Sequence, residues 1–205
     1  MGIYTRKVLP RIIDKTGSTA STVPIRKRVC AGLHGHVLEI GFGSGLNVAH
    51  YPATVTGVAA VEPADTGWKL AQRRIDASNV PVQRTGLAGE SIPLPDASCD
   101  TALSTWTLCT IPDVARALQE VRRVLRPGGT FHFVEHGLAP DEEVRRLQHR
   151  LEPIQKRVFG GCHLTRRIPD LLTEAGFTLV EQDVFYEQGA PRFLAADTLG
   201  TAVSP

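Results

Sequence analysis

The chain has 205 residues, with 23 Lys and Arg against 21 Asp and Glu, and 42% of its residues are hydrophobic. This length and composition fit one folded domain and exclude global disorder, and the net charge of +2 gives no overall electrostatic reason to expect nucleic acid as a partner. No apolar run approaches the ~18–20 residues that cross a bilayer, and the first residues lack the apolar stretch of a signal peptide, so we expect a cytoplasmic protein.

The N-terminal segment is basic and helical. Among its first 36 residues, seven are Lys or Arg and only Asp14 is acidic. The pattern predicts helices over about residues 3–15 and 23–31, joined by the loop GSTAST. From position alone, we expect residues 1–30 to form a helical lid over the ligand site, lined by Tyr4 and Arg11, and residues 31–205 to form the main domain.

Strands and helices then alternate. Short apolar runs typical of buried strands are HVLEIG and TVTGVAAVE, and further strands are predicted at VQRTGLA, DTALSTW and TFHFVEH. TGWKLAQRRIDAS reads as a helix, as does PDVARALQEVRRVLRPGG, which Asp113 can cap and which we expect to end at Pro127-Gly128-Gly129.

Two more helices, over about residues 141–158 and 166–175, precede two final strands, FTLVEQDVF and FLAADTLGTAV. The alternation predicts a single-domain α/β fold with a Rossmann-like, doubly wound, mostly parallel sheet of seven strands. Because no helix separates the last two strands, we expect the sheet to end in an antiparallel C-terminal hairpin.

The segment VLEIGFGSGLN reads as a strand, a glycine turn and the start of a helix. Glycines let a ligand approach the main chain, and open α/β sheets bind ligands at the carboxyl ends of their strands. Glu62 ends the second strand and can accept both hydroxyls of a ribose. Leu46 stands where a nicotinamide-binding turn has its third glycine, which disfavours an NAD-dependent oxidoreductase. Glu39, beside the turn, suits a ligand that carries positive charge.

The cysteines predict no disulfide framework and no metal site. Cys30, Cys99, Cys109 and Cys162 are scattered and form no CxxC pair, so we expect reduced thiols. The adjacent residues Cys162 and His163 lack the second ligand cluster that a structural zinc site shows.

Several motifs in order resemble those of class I S-adenosylmethionine-dependent methyltransferases, over about residues 30–205. They are VLEIGFGSG, VEP, GESIPLPDASCD, and EVRRVLRPGG followed by TFHFVEH. Within that family, LPDASCDTALSTWTLCTIPD and GGCHLTR look closest to the methyltransferase-like proteins that methylate small alkyl thiols. The resemblance implies S-adenosylmethionine as cofactor, S-adenosylhomocysteine as product, and a small, rather apolar acceptor, with thiols first.

The resemblance also implies which residues contact the cofactor. The methionine part of the cofactor would lie over Gly41, Phe42, Gly43 and Gly45, and its ammonium would be organised by Glu39. The ribose would be held by Glu62, and the adenine would lie against Pro63 and be bordered by Leu87, Ala88, Gly89 and Glu90. The main-chain carbonyls of Thr105 and Trp106 would meet the methionine part. Many members carry an aspartate where this chain has Ala88, so backbone groups or Glu90 would take over its bond to the adenine amine.

His136, after the fifth strand, is the candidate general base for the acceptor, and its alternative role is to orient a loop. His163 could reach the substrate or only cap its turn, and Trp106 could wall the acceptor pocket or belong to the core. Three further residues are expected to be structural. Glu135 could also support a neighbouring site residue, Cys109 is expected to face the pocket and to pack there as a small apolar side chain, and His132 is expected to be a hydrogen-bonded core histidine.

Other functions remain open from the sequence. The acceptor could instead be a quinone-like phenol or a phospholipid amine, or the chain could bind the cofactor without catalysis. Residues 141–167 are rich in Arg and Lys, which is typical of a solvated helix face and also fits peripheral contact with an anionic membrane. A nucleic-acid methyltransferase is disfavoured, because Ser-Thr-Trp-Thr stands where an (Asn/Asp)-Pro-Pro-(Tyr/Phe) motif would follow the fourth strand.

Overall fold

The structure, a computed structural model, describes residues 4–205. Its strands are β1 Gly35–Ile40, β2 Val55–Val61, β3 Val82–Gly86, β4 Cys99–Thr105, β5 Leu125–His136, β6 Thr178–Tyr186 and β7 Ala196–Val203. Its α-helices are α1 Leu9–Thr16, α2 Thr22–Cys30, α3 Asp65–Asp76, α4 Val114–Val124, α5 Glu142–Val158 and α6 Ile168–Glu174. Short π-helical and 3₁₀ turns cover Tyr4–Val8 and Val48–His50.

The seven strands form one sheet in the order β3-β2-β1-β4-β5-β7-β6. The first five strands pair in parallel, and β7 lies antiparallel between β5 and β6. The predicted seven-stranded α/β fold and its antiparallel C-terminal hairpin are therefore confirmed. From β1 the strand order runs outward to β2 and β3 on one side, and from β4 it runs outward to β5 on the other. At such a switch point, here between β1 and β4, the carboxyl ends of the strands leave a crevice for a ligand.

Helices cover both faces of the sheet, as the nearly continuous apolar strands require. Phe131 and Phe133 of β5 are fully buried in a cluster that contains residues of α4 and α6. Val134, the next residue, points to the other face and packs in a cluster with Val29 of α2. The N-terminal helix α2 is thus part of the core of the domain.

Two predictions about helices are wrong. We expected the helix before β5 to end at Pro127-Gly128-Gly129, but α4 ends at Val124 and Leu125 already pairs with Cys99 of β4. Gly128, with φ +77°, and a shift in strand register accommodate the proline inside the strand. The helix expected after the glycine turn is only the 3₁₀ turn Val48–His50, which Pro52 stops soon after it starts.

Within residues 4–205, no helix has both the length and the apolar character that crossing a membrane requires.

The start of α4 offers a test of the local energetics. The Asp113 carboxylate accepts a hydrogen bond of 3.0 Å from the backbone N–H of Arg116 and so caps the helix. We expect Asp113→Ala to lower the free energy of unfolding by about 1 kcal/mol, measured by urea denaturation. Asp113→Asn, which keeps an oxygen at the same place, serves as the control and should retain most of the stability. Equal losses in both variants would contradict the capping role.

Candidate functional site

The glycine turn after β1 forms the floor of the candidate site. Gly41, Gly43 and Gly45 have φ angles of +71°, +59° and +74°, which L side chains rarely adopt. A Cβ on Gly41 would lie 1.9 Å from Thr107 Oγ1, so the turn packs directly against the segment that follows β4. A Cβ on Gly43 would meet only the Gly41 carbonyl, at 3.8 Å. The main chain at Gly43 therefore borders open space that a ligand can enter.

Phe42, between the glycines, turns its side chain away from that space. It is 3% exposed and packs at a ring distance of 5.4 Å from Trp68 of α3. Only its main chain lies at the turn, where its carbonyl accepts a hydrogen bond from Gly45. Any contact of Phe42 with a ligand is thus through backbone atoms.

Glu62 lies directly beside the turn, at the end of β2. Its carboxylate accepts hydrogen bonds from the backbone N–H groups of Gly43, at 2.7 Å, and Ala64, at 2.6 Å. Burial raises its pKa, although these two hydrogen bonds oppose the shift. Each carboxylate oxygen keeps a further lone pair, which can accept from a hydroxyl of a ligand. Pro63, the next residue, is exposed at the same edge.

A buried polar network lies beneath the turn. The Glu39 carboxylate, 1% exposed, accepts hydrogen bonds from the Tyr51 hydroxyl and, at 2.9 Å, from the Asn47 amide. The same amide group donates to Thr105 Oγ1 at 3.0 Å, and Asn47 Oδ1 accepts from Arg26 at 2.7 Å. Burial raises the pKa of Glu39 to about 7, against the opposing effects of its hydrogen bonds and of Arg26.

Arg26 connects α2 to this network and to the end of β4. Its side chain is almost fully buried, donates to the Gly17 carbonyl, and lies 4.8 Å from the centre of the Trp106 ring. A cation over an aromatic face is attracted to it, so Arg26 holds the indole in place. Helix α2 thus reaches the candidate site through the Arg26 guanidinium group.

Tyr4 and Arg11, which we expected to line a lid, form hydrogen bonds away from the glycine turn. The Tyr4 hydroxyl donates to the carbonyl of Val158 at the end of α5, at 2.8 Å. Arg11 is exposed and donates to the carbonyl of Lys7. Arg26, which is one of the seven basic residues of the N-terminal segment, does reach the site.

The segment after β3 is more open. Leu87 is 61% exposed, whereas Gly89 is buried with its Cα facing Ile111. Ala88 pairs with Ser91 in an isolated bridge, and the carbonyl of Glu90 accepts a hydrogen bond from Arg116. These contacts fix the backbone of residues 87–90.

The end of β4 is strained. Trp106 has φ +50°, an angle that costs of order 1 kcal/mol or more for a residue with a Cβ. Its N–H donates to the Val134 carbonyl at 2.8 Å, and its indole Nε1 donates to the Asp197 carboxylate at 3.0 Å. Such strain persists only where neighbouring contacts impose it, and it is common at functional sites.

His136, the candidate base, lies at the end of β5 with two cysteines beside it. Its Nδ1 is 3.8 Å from Cys109 Sγ and 3.6 Å from Cys162 Sγ, and its Nε2 is 3.9 Å from Asp197 Oδ1. Burial would lower the pKa of His136, but the hydrogen bond to Cys162 and the charges of Cys162 and Asp197 raise it to about 9. The hydrogen bond between the two thiols and the nearby His136 lower the pKa of Cys162. All four groups lie at the carboxyl edge of the sheet.

Three other residues have structural contacts. The buried Glu135 carboxylate accepts from Ser104 Oγ and from the N–H groups of Thr107 and Cys109, and so shapes the turn after β4. His132 is a hydrogen-bonded core residue, as expected, with Thr130 Oγ1 at 3.0 Å. His163 faces Glu152 and donates its backbone N–H to the Cys109 carbonyl.

The sequence reasoning missed four residues of this edge, which are Arg26, Asn47, Cys162 as a neighbour of His136, and Asp197. Asp197 gave one usable signal, since a carboxylate inside the apolar run FLAADTLGTAV must be buried with a partner. Arg26 gave none, because it stands in a run of three basic residues whose other two members are exposed.

A cavity lies away from the glycine turn. It has a volume of about 910 Å³, lies beside α3, and is lined by residues that include Tyr51 and Arg74. None of the residues predicted to bind a cofactor lines it. The chemistry of the glycine turn and Glu62, rather than cavity size, identifies the candidate site.

The chain is similar to known methyltransferases. Residues 38–133 match the family described as Methyltransferase domain. The chain is 36% identical over 149 residues to the thiol S-methyltransferase TMT1B of Rattus norvegicus. The aligned region covers 71% of this chain and 61% of that protein. The chain is 35% identical over 147 residues to the thiol S-methyltransferase TMT1A of Homo sapiens, covering 69% and 59%. This chain thus spans about three fifths of the length of these relatives.

Among solved structures, a SAM-dependent methyltransferase from Thermotoga maritima superposes with a TM-score of 0.68 at 21% identity. The superposition covers 99% of this chain and 100% of that one. The fold of the whole described chain is therefore the fold of that structure.

The buried Glu39 makes stability depend on pH. The folded protein keeps the Glu39 proton until about pH 7, whereas the unfolded chain releases it near the ordinary value of 4.5. Between these values the folded state binds more protons, so stability falls as the pH rises. We expect the free energy of unfolding of the wild type to fall by about 2 kcal/mol between pH 5 and 7.5, relative to Glu39→Gln. Parallel pH profiles for the two proteins in urea denaturation would contradict this reading.

Proposed function

The chain belongs to the class I S-adenosylmethionine-dependent methyltransferases, and on that premise we propose that it methylates the sulfur of small, rather apolar thiols. The observation that carries the proposal is the likeness to two thiol S-methyltransferases across 71% and 69% of this chain. The region that matches the Methyltransferase domain, residues 38–133, includes the glycine turn and Glu62 and ends within β5, three residues before His136. The proposed acceptor side of the site therefore follows the proposed cofactor side along the sheet edge.

The residues present fit S-adenosylmethionine. Gly43 leaves its main chain open to a ligand, and the carboxylate of Glu62 keeps lone pairs for two ribose hydroxyls. We assign Glu39 a positioning role, because Asn47 and Tyr51 already hold its two oxygens. The backbone of residues 87–90 would border the adenine. When bound, this cofactor supplies a methyl group that its sulfonium sulfur makes electrophilic.

The chain must also position the acceptor. Methyl transfer is an in-line displacement, so the acceptor sulfur must be held about 3 Å from the methyl carbon with water kept out. Trp106, fixed by Arg26 on one side and Asp197 on the other, is placed to wall this space. A thiol reacts as its thiolate, and His136, whose ring centre is 6.4 Å from that of Trp106, can favour that form. Helix α2 covers this side of the site, because its residue Arg26 lies over the Trp106 ring.

The acceptor class is tested by offering the purified chain isotopically labelled S-adenosylmethionine with benzyl mercaptan, a ubiquinol-type phenol, or vesicles of phosphatidylethanolamine. Mass spectrometry of the products should show the label on the thiol and, with at least tenfold lower turnover, on the phenol or the amine. Preferential labelling of the phenol or the lipid would overturn the thiol assignment. Cofactor binding without labelling of any acceptor would show a non-catalytic protein.

Glu62 provides the test of the cofactor side. Glu62→Gln places an amide hydrogen against one of the two backbone donors and removes the charge that the ribose hydroxyls would meet. Hydrogen bonds to charged groups contribute about 1.5–3 kcal/mol, so the KM for S-adenosylmethionine should rise by roughly 10–100-fold. Glu174→Gln, which changes an exposed carboxylate at the end of α6, is the matched control and should leave KM unchanged. An unchanged KM in Glu62→Gln would remove this residue from the cofactor site.

A further inference from the structure

Three side chains with metal-binding atoms meet at the carboxyl edge of the sheet. Cys109 follows β4, His136 ends β5, and Cys162 lies in the loop between α5 and α6. Their ligand atoms all lie within 4.8 Å of one another, and both thiols are buried. The backbone N–H of His163 donates to the carbonyl of Cys109 at 2.8 Å, which ties the loop of Cys162 to the segment of Cys109.

The distances match the edges of a zinc tetrahedron. With zinc–sulfur bonds of about 2.3 Å and zinc–nitrogen bonds of about 2.0–2.1 Å, two sulfur ligands lie roughly 3.8 Å apart and a sulfur and a nitrogen about 3.6 Å apart. The two Sγ atoms are 3.6 Å apart, and they lie 3.8 and 3.6 Å from His136 Nδ1. A disulfide would need about 2.0 Å between the sulfurs, so the geometry is that of two separate ligands.

Asp197 supplies an independent observation. Its carboxylate is fully buried, and its Oδ2 has no hydrogen-bond partner among residues 4–205. Its Oδ1 accepts from Trp106 and lies 3.9 Å from Nε2 of His136, the ring nitrogen that faces away from the thiols. Histidines that bind a metal usually direct their other nitrogen toward a carboxylate in this way. A cation on the far side of the imidazole also offsets the cost of burying the Asp197 charge.

We propose that Cys109, His136 and Cys162 bind a zinc ion through Sγ, Nδ1 and Sγ, and that the acceptor thiol occupies the fourth position as a thiolate. The second half of this inference rests on the proposed thiol methylation. Three protein ligands with one open position are typical of catalytic zinc, and thiolate ligands select zinc over harder cations. His136 is then a ligand, which replaces its role as general base.

The binding step balances without any further reactant. The S–H bond of the acceptor breaks, its proton leaves to solvent, and the sulfur keeps its electron pair and forms a bond to the metal in place of water. No electron is transferred, because zinc has no redox chemistry in proteins. A bound thiolate at this place lies beside Trp106, whose ring centre is 6.4 Å from that of His136. Access is from the side of His136, whose side chain is 26% exposed.

The metal is tested on the full chain, expressed with zinc and analysed by plasma mass spectrometry. We expect about one zinc per chain in the wild type, and a loss of at least tenfold in Cys109→Ser and Cys162→Ser. The matched control is Cys99→Ser. Cys99 is also buried with its Sγ 3.4 Å from a histidine nitrogen, Nδ1 of His36, but it has no second thiol beside it. Wild-type protein without zinc, or variants that retain it, would overturn the site.

Cobalt substitution provides a measurement that does not depend on how the variants fold. Wild-type protein loaded with Co²⁺ should show the intense absorption of thiolate-to-cobalt charge transfer, which a site without cysteine ligands cannot give. Asp197→Asn should keep this band and weaken metal affinity by about 10–100-fold. Absence of the band in the wild type would exclude the two thiolates as ligands.

The fourth position is tested by titrating benzyl mercaptan into the cobalt protein, with benzyl alcohol as the control of equal shape. The thiol should shift the charge-transfer band in a saturable manner and the alcohol should not. A spectrum that does not respond to the thiol would overturn its coordination. Metal-free protein that methylates thiols at the full rate would overturn this inference and leave the proposed function standing. Thiol coordination without methylation of any thiol would instead overturn the proposed function and, with it, the acceptor assignment.

Discussion

The site depends on one buried carboxylate. Glu39 at the end of β1 cannot be solvated, so it must be satisfied by neighbouring side chains, and Asn47 and Tyr51 fill that need. Asn47 then joins Thr105 of β4 and Arg26 of α2 to the same network. The glycine turn, the neighbouring strand and the N-terminal helix are therefore fixed relative to one another by hydrogen bonds around a single group.

Trp106 divides the sheet edge into two parts. On one side are the glycine turn and Glu62, whose backbone contacts fit the proposed cofactor. On the other are Asp197 and His136, which we assign to the acceptor. Arg26 covers the ring from α2, and the φ of +50° at Trp106 aims the indole between the two parts. Strain at this residue fits a place between the proposed cofactor and the proposed acceptor.

Much of this could be predicted from the sequence. The alternation of strands and helices established the α/β class, and the missing helix before the last strand established the antiparallel hairpin. The glycines and Glu62 could be chosen as candidates from the sequence because a turn and a strand end are local features of the chain. The end of α4 was misplaced, because the apolar spacing continues through Leu125 although that residue pairs with Cys99 in the sheet. Local periodicity cannot reveal such a long-range pairing.

The rest of the site arises from contacts between distant parts of the chain. Arg26 reaches Thr105, and His136 meets Cys162 and Asp197, across separations that no motif spacing encodes. The four cysteines were read as scattered because their spacing in the sequence is irregular, and only the fold brings Cys109 and Cys162 together. The residues hardest to predict were thus those whose partners are distant in the sequence, and the proposed acceptor side depends on such residues.

The most direct test of the account is isothermal titration of the full chain with S-adenosylhomocysteine, with NAD titrated under the same conditions. The account predicts one saturable site per chain for S-adenosylhomocysteine and no binding of NAD, because Leu46 replaces the third glycine of a dinucleotide turn. Absence of S-adenosylhomocysteine binding, or equal binding of NAD, would contradict the assignment of the glycine turn and Glu62 as the cofactor site.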